Sequence, residues 1–329
     1  MTSLKLNNFL SFNSGIMLES CLKSFCSMIT ADGMEDLRKA CGGHGFLQAS
    51  GLPELLGTYL QNPTVEGDNH MLPQQTVRVL LKIVEVVTSG DQKSMDAYKK
   101  CDSYYLVEKI LLIIQGDDSK CPVTSESEFL DVGVLIESFK HRSARLLLEA
   151  AQSLQENMTR KGLSMQEAWN EGLVQFARVS KAHALFLLLK NFSDTLEDFK
   201  HEESLGNGES AVLSDLAILF GLWWTEKDIG DFLEDSYFSG EQAVWIRSAV
   251  LTMLKNVRPN AVPLVDSWDF SDFRLKSALG RYDGDVYPAI MHSTSKDPLN
   301  ASEPGPGYKE SLSKLIRGEI GISGTASRL

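Results

Sequence analysis

Apolar residues recur at spacings of three and four along most of this chain, and alternating strand patterns are almost absent. That periodicity restricts the fold to helices packed on helices. Leu18, Leu22, Phe25 and Ile29 fall on one face, and Met34 and Leu37 continue the pattern. This helix is expected to end at Gly42-Gly43, where glycine supplies the left-handed cap. Residues 46–69 hold Gly51, Pro53, Gly57, Pro63 and Gly67 and read as loop with one short helix. Pro73 suits the first turn of a helix whose apolar face is Val77, Leu80, Leu81, Val84 and Val87. One helix is expected over 94–114, long ones over 129–158, 165–203 and 211–224, and shorter ones over 242–256 and 309–317. The stretch 259–306 is mixed, with turn signals at Asp283-Gly284 and Pro304-Gly305-Pro306. No fixed-period repeat is present, which argues against a solenoid.

The polar, turn-rich run Gly116-Asp117-Asp118-Ser119-Lys120, followed by Pro122, marks a joint between two helical regions. The 329 residues are long enough for two modest domains or one large one. Their net charge of −12 gives no general pull on nucleic acid or anionic membranes. An anionic ligand would therefore need local basic residues or backbone N–H groups. The 5 cysteines are scattered, with no C-x-x-C pair and no zinc-ligand spacing, as in a reduced intracellular protein. No apolar run approaches the roughly 18 residues of a membrane span, and the N-terminus is a poor secretory signal. The last residues, Ser327-Arg328-Leu329, match the peroxisomal address Ser-Lys-Leu with the positive charge kept.

Two segments carry candidate chemistry. Cys41-Gly42-Gly43-His44-Gly45-Phe46 leaves backbone N–H groups uncovered by side chains, so a phosphate or a flat ring could approach closely. It lacks the spacing of a dinucleotide fingerprint, and no strand precedes it. Alone it reads as a helix cap and turn. Thr64-Val65-Glu66-Gly67-Asp68-Asn69-His70 puts a carboxylate beside a glycine just ahead of a helix. Either Asp68 or Asn69 caps that helix, or Glu66 is a general base and Gly67 lets a ligand reach the backbone. The acidic residues lack EF-hand spacing, and the 6 histidines form no close metal pair, so no metal site is expected. His183 and the pair Trp223-Trp224 read as packed helix residues.

Taken together, several runs resemble the peroxisomal acyl-CoA oxidases. Arg38-Lys39-Ala40-Cys41-Gly42-Gly43-His44-Gly45-Phe46, then Ser50-Gly51-Leu52-Pro53, then Glu66-Gly67-Asp68-Asn69 resemble, in order and spacing, the end of that family's acyl-CoA-dehydrogenase-like domain. Arg258-Pro259-Asn260-Ala261, Leu264-Val265-Asp266, and the run from Leu279 through Gly280-Arg281-Tyr282-Asp283-Gly284-Asp285-Val286 to Tyr287 resemble its extra C-terminal domain. The resemblance begins near residue 15. The implied fold is all-α. Residues 1–14 are left unmatched, 15–115 close the flavin-packing helical domain, 116–127 link, 128–326 form the oxidase C-terminal helical domain, and 327–329 are the targeting tripeptide. The family's N-terminal helical and middle β domains have no counterpart here, and Val65 stands where an aromatic residue is usual.

The resemblance implies a reaction: FAD-dependent removal of two hydrogens across the α and β carbons of a fatty acyl-CoA, with molecular oxygen as acceptor and hydrogen peroxide as product. Glu66 matches the catalytic carboxylate, and its own backbone N–H is one implied donor to the thioester oxygen. Gly42, Gly43, Gly45, Asp68 and Asn69 match positions near the flavin. The implied partners are a second copy or a full-length oxidase subunit, and the peroxisomal import receptor. The alternatives are a non-catalytic partner and a helical scaffold derived from such an oxidase.

Overall fold

A computed structural model describes residues 3–117, 120–302, 304–305 and 307–318, with side chains from Gly15 onward except Ile16. Ser327-Arg328-Leu329 lie outside the described residues. Among the described residues every regular element is helical, as expected. The chain divides into two compact units, one of Met1–Ala31 with Gln61–Trp268 and the other of Asp32–Leu60 with Asp269–Leu329.

The first helix, α1 (Ser3–Ala40), ends at Cys41, and Gly42 follows in the left-handed region at φ 61°. Its inward face in the first unit differs from the expected one. The deeply buried residues are Met17, Ser20, Cys21, Ser24, Ser27 and Ala31, whereas Leu18, Leu22 and Phe25 are only partly covered. Small side chains let neighbouring backbone approach closely, so the serine and cysteine stripe faces inward. The remaining helices of this unit are α4 (Leu72–Ser89), α5 (Gln92–Tyr98), α6 (Tyr104–Gln115), α7 (Val132–Thr159), α8 (Met165–Glu171), α9 (Leu173–His201), α10 (Asn207–Lys227), α11 (Ile229–Leu233), α12 (Gly240–Val257) and α13 (Ala261–Asp266). Pro73 sits in the first turn of α4, and Ile83 rather than Leu81 completes its buried face.

Two expected helices are broken. The one expected over 94–114 is interrupted between α5 and α6, where Asp102-Ser103 favours local side-chain bonding over helix interior. The one expected over 165–203 bends by 63° at Gly172 between α8 and α9. A Cβ at Gly172 would lie 2.6 Å from the Phe176 ring, so the bend depends on the missing side chain. Elsewhere local chemistry sets the starts: Ser164 with Glu167 and Ser239 with Gln242 form capping boxes on α8 and α12, and Asp131 caps α7.

Helices α4, α6, α7, α9, α10 and α12 enclose one apolar core built on Phe129, Phe139, Phe176, Leu135, Leu147 and Ile246. No single described helix is long and apolar enough to cross a membrane, and the middle of α9 is buried in this core. The expected joint at 116–127 does not separate the compact units. Cys121 N–H donates to the Tyr237 carbonyl at 2.8 Å, and Gln242 Nε2 donates to the carbonyls of Cys121 and Val123 at 3.3 and 2.8 Å. Those bonds and the burial of Cys121 and Val123 tie the segment into the first unit.

The second unit holds the end of α1, α2 (Gly42–Phe46), α3 (Leu52–Tyr59), α14 (Asp272–Leu275), α15 (Val286–Ser295) and α16 (Ser313–Ile316). The helix expected over 309–317 is irregular, its first turn being a π-type turn over Tyr308–Leu312. Among this unit's described residues only Gly45, Ser50 and Ser313 are buried.

Candidate functional site

Glu66 lies in the first unit, on a turn that leads into α4. Its backbone is left-handed at φ 56°, which is uncommon for a residue with a side chain, and Gly67 follows at φ 104°. A Cβ at Gly67 would meet Leu72 Cδ2 at 2.8 Å, so any other residue would have to displace that side chain as well as adopt the unfavourable φ. Gln61 O accepts the N–H groups of Thr64 and Val65 at 2.9 and 3.0 Å, and Pro63 O accepts Asn69 N–H at 3.0 Å. The loop is thus closed on both sides of Glu66. Glu66 is exposed, and among the described residues neither its N–H nor its carboxylate has a bonding partner.

Asp68 faces along the turn. Its Oδ1 accepts His70 N–H at 2.8 Å, and its carbonyl accepts from Met71 and Leu72. Asn69 is buried and its side chain is committed inside the unit. Its Nδ2 donates to Ser24 O at 3.0 Å and Ser27 Oγ at 2.9 Å. Its Oδ1 accepts from Lys23 Nζ at 3.0 Å, and Lys23 Nζ also donates to Gly67 O at 2.5 Å. Lys23, Ser24 and Ser27 escaped the sequence reading. The signal was present as serines at positions 20, 24 and 27, a polar stripe at helical spacing inside an apolar pattern.

The glycine run belongs to the second unit and divides by role. Gly42 ends α1 through its positive φ, and a Cβ at Gly42 or Gly43 would meet nothing within 4 Å. Their backbone is therefore bare on the outer side. Gly45 instead faces inward, where a Cβ would run into the Arg38 carbonyl oxygen. Within this unit the run meets a second motif, because the His44 ring stands edge-on to Tyr287 with centroids 6.0 Å apart. Nearby in sequence, Arg281 bonds Asp283 and holds its carboxyl down to about 2. Gly51 at φ 76° and the bond from Ala278 N–H to Ala49 O at 2.7 Å join the two stretches of this unit.

Other polar groups offer less. His183 is fully buried, its Nδ1 lies 2.7 Å from Tyr105 Oη, and burial pushes its pKa down to about 3. It is the packed residue that the sequence suggested. Trp224 packs on Phe25, but Trp223 is partly exposed and lines an apolar groove of about 640 Å³ with Leu188, Phe192, Leu216, Phe220 and Leu254. That groove carries no titratable group and so no chemistry. Among the described residues no cluster of His, Cys, Asp and Glu could hold a metal ion.

A family model described as acyl-CoA oxidase matches residues 131–317, and one for the acyl-CoA oxidase C-alpha1 domain matches residues 4–81, which begins ahead of the resemblance noted near residue 15. A putative peroxisomal acyl-coenzyme A oxidase 1.2 of Arabidopsis thaliana is 34% identical over 90% of this chain and 42% of its own length. Peroxisomal acyl-coenzyme A oxidase 1 of Rattus norvegicus is 36% identical over 91% of this chain and 43% of its own. The structure of Arabidopsis thaliana acyl-CoA oxidase 1 superposes with a TM-score of 0.82 at 32% identity, covering 92% of this chain and 44% of that one. Acyl-CoA oxidase-1 of Caenorhabditis elegans, solved with FAD and ATP, gives 0.80 at 29% identity, covering 93% and 44%. The chain thus spans less than half the length of these relatives.

Proposed function

This chain belongs to the acyl-CoA oxidase family, and from that membership we propose that it serves in the peroxisomal, FAD-dependent oxidation of fatty acyl-CoA to trans-2-enoyl-CoA, with Glu66 as the base. The observation that carries the reading is the Glu66 turn. Glu66 is exposed, and among the described residues neither its carboxylate nor its N–H has a partner. The carboxylate can take the α proton of an acyl thioester. The N–H can donate to the thioester oxygen as negative charge develops there, which matters because that proton is too weakly acidic for an unaided carboxylate.

The bare backbone of Gly42 and Gly43 fits a flat ring system or a phosphate, since no side chain blocks it. These two residues would lie against FAD. Gly45 supports them from the inner side, and Asp68 and Asn69 support the base by shaping its turn. FAD supplies acceptance of the β hydrogen with its electron pair, and passage of the electrons to oxygen to give hydrogen peroxide.

The test is peroxide formation from an acyl-CoA in the presence of FAD. Glu66→Gln should keep fold and flavin content and lose at least about 100-fold in rate, because the amide cannot accept a proton. Near-normal turnover would sink the assignment.

One observation favours a second reading, in which the chain acts as a partner of another oxidase subunit or of its own copy. The second unit exposes large apolar side chains, among them Phe46, Phe273 and Tyr287. Patches of this kind mark partner surfaces. Sedimentation of the 329-residue chain as a concentration-independent monomer would count against it.

A further inference from the structure

We infer that Lys23 is a positioning residue for Glu66, acting through the Gly67 carbonyl and Asn69; this rests on the reading of Glu66 as the base. The argument starts from the backbone. A residue with a Cβ is strained in the left-handed region, and such conformations persist only where their surroundings over-determine them. Glu66 and Gly67 are two consecutive residues at positive φ, at 56° and 104°. The bonds to Gln61 O and Pro63 O close the loop but leave the Gly67 peptide without a backbone partner.

Lys23 supplies that partner from α1. Its ammonium bridges Gly67 O at 2.5 Å and Asn69 Oδ1 at 3.0 Å, the residues one and three after Glu66. No carboxylate pairs with Lys23 among the described residues, so its charge is directed at these two oxygens. Asn69 is in turn pinned by Ser24 O and Ser27 Oγ on the same face of α1. Lysine, with three donors on a flexible stem, suits two acceptors on different residues. Holding the Gly67 carbonyl fixes the Gly67–Asp68 peptide, and with the bonds to Gln61 O and Pro63 O on the other side it restrains the turn that carries Glu66. The shape of that turn sets where the Glu66 N–H and carboxylate point, and reacting groups misplaced by about 1 Å can lose about 100-fold in rate.

The experiment compares Lys23→Met, which keeps the length but donates nothing, with Lys23→Arg, which keeps the charge. Amide hydrogen exchange is followed over 63–72, together with kcat, KM and flavin content of the FAD-loaded protein. In Lys23→Met the amides of Asn69, Met71 and Leu72 should exchange at least about tenfold faster, with kcat down about 10- to 100-fold. KM and flavin content should stay within about twofold, the signature of a lost orienting contact rather than lost binding. Lys23→Arg should recover most of both effects. Unchanged exchange in Lys23→Met overturns the inference, and so does a loosened turn with unchanged kcat. If the unaltered protein with FAD oxidises no acyl-CoA, the reading of Glu66 fails by itself. The exchange arm then decides alone: faster exchange restored by Arg sustains the role of Lys23 in setting the turn, and unchanged exchange overturns it.

Discussion

The first compact unit has a core of fully buried large apolar side chains, and among the described residues the second has none. Phe129, Phe139, Phe176, Phe232 and Phe238 are among the most enclosed residues of the first unit. In the second, Phe273 is 86% and Tyr282 87% exposed. Full burial of such a side chain stabilises by about 1.5–3 kcal/mol, so the first unit has its own source of stability. The second is held by turns, the backbone bond from Ala278 to Ala49 and a few ring and ion-pair contacts. The two candidate segments follow the same contrast. The Glu66 turn is tied to a buried asparagine, whereas the Gly42-Gly43 backbone lies open. A base needs a fixed direction, and a cofactor-facing strip needs an unobstructed surface.

The contrast breaks most visibly in stability. Phe176→Ala should destabilise the chain by about 3–5 kcal/mol, while Phe273→Ala should change it by less than about 0.5 kcal/mol, both read from urea midpoints. Similar costs at the two sites would mean that the second unit has a core of its own. A smaller difference is expected between the candidate segments. Asn69→Ala leaves a buried cluster of donors and acceptors without partners and should cost about 1–3 kcal/mol. Gly43→Ala meets open space at an ordinary φ and should shift stability by less than about 1 kcal/mol.

The smallest effect is a pH dependence confined to the first unit. Burial holds the folded pKa of His183 near 3, below its ordinary value of 6.5. The unfolded chain therefore binds a proton that the folded chain refuses as pH falls from 6.5 toward 3. The stability contributed by neutral His183 is complete above that window and lost through it. Asp231 adds loss further down: although partial burial opposes ionisation, Arg142 and Arg178 together hold its carboxyl below the usual range. His183→Gln should flatten the upper part of the acid slope by up to about one proton, as measured by urea midpoints at several pH values. An unchanged slope would place the titration elsewhere.

Much of this was legible in the residues. The all-α class followed from periodicity, and the glycine that ends α1 and the proline in the first turn of α4 followed from backbone chemistry. The breaks at Asp102-Ser103 and Gly172 were not foreseen, because apolar spacing continues across both and only tertiary packing decides which residues turn. The joint at 116–127 looked free because its residues are polar, but its backbone bonds to Tyr237 and Gln242, more than a hundred positions away. Glu66 could be singled out from its glycine neighbour. Lys23 could not, since nothing in a sequence says which of many lysines reaches a carbonyl 44 positions later. Asn69 was grouped with ligand-facing residues because of its place beside Glu66, and its side chain instead serves the turn.

The central claim is that Glu66 removes the α proton of an acyl thioester. The most direct measurement follows that proton itself. The FAD-loaded protein is incubated anaerobically with an acyl-CoA in heavy water, and deuterium at the α carbon is read by mass spectrometry. The account predicts that the unaltered protein catalyses incorporation, and that Glu66→Gln slows it by at least about 100-fold at equal flavin content. Incorporation by Glu66→Gln at the rate of the unaltered protein would contradict it.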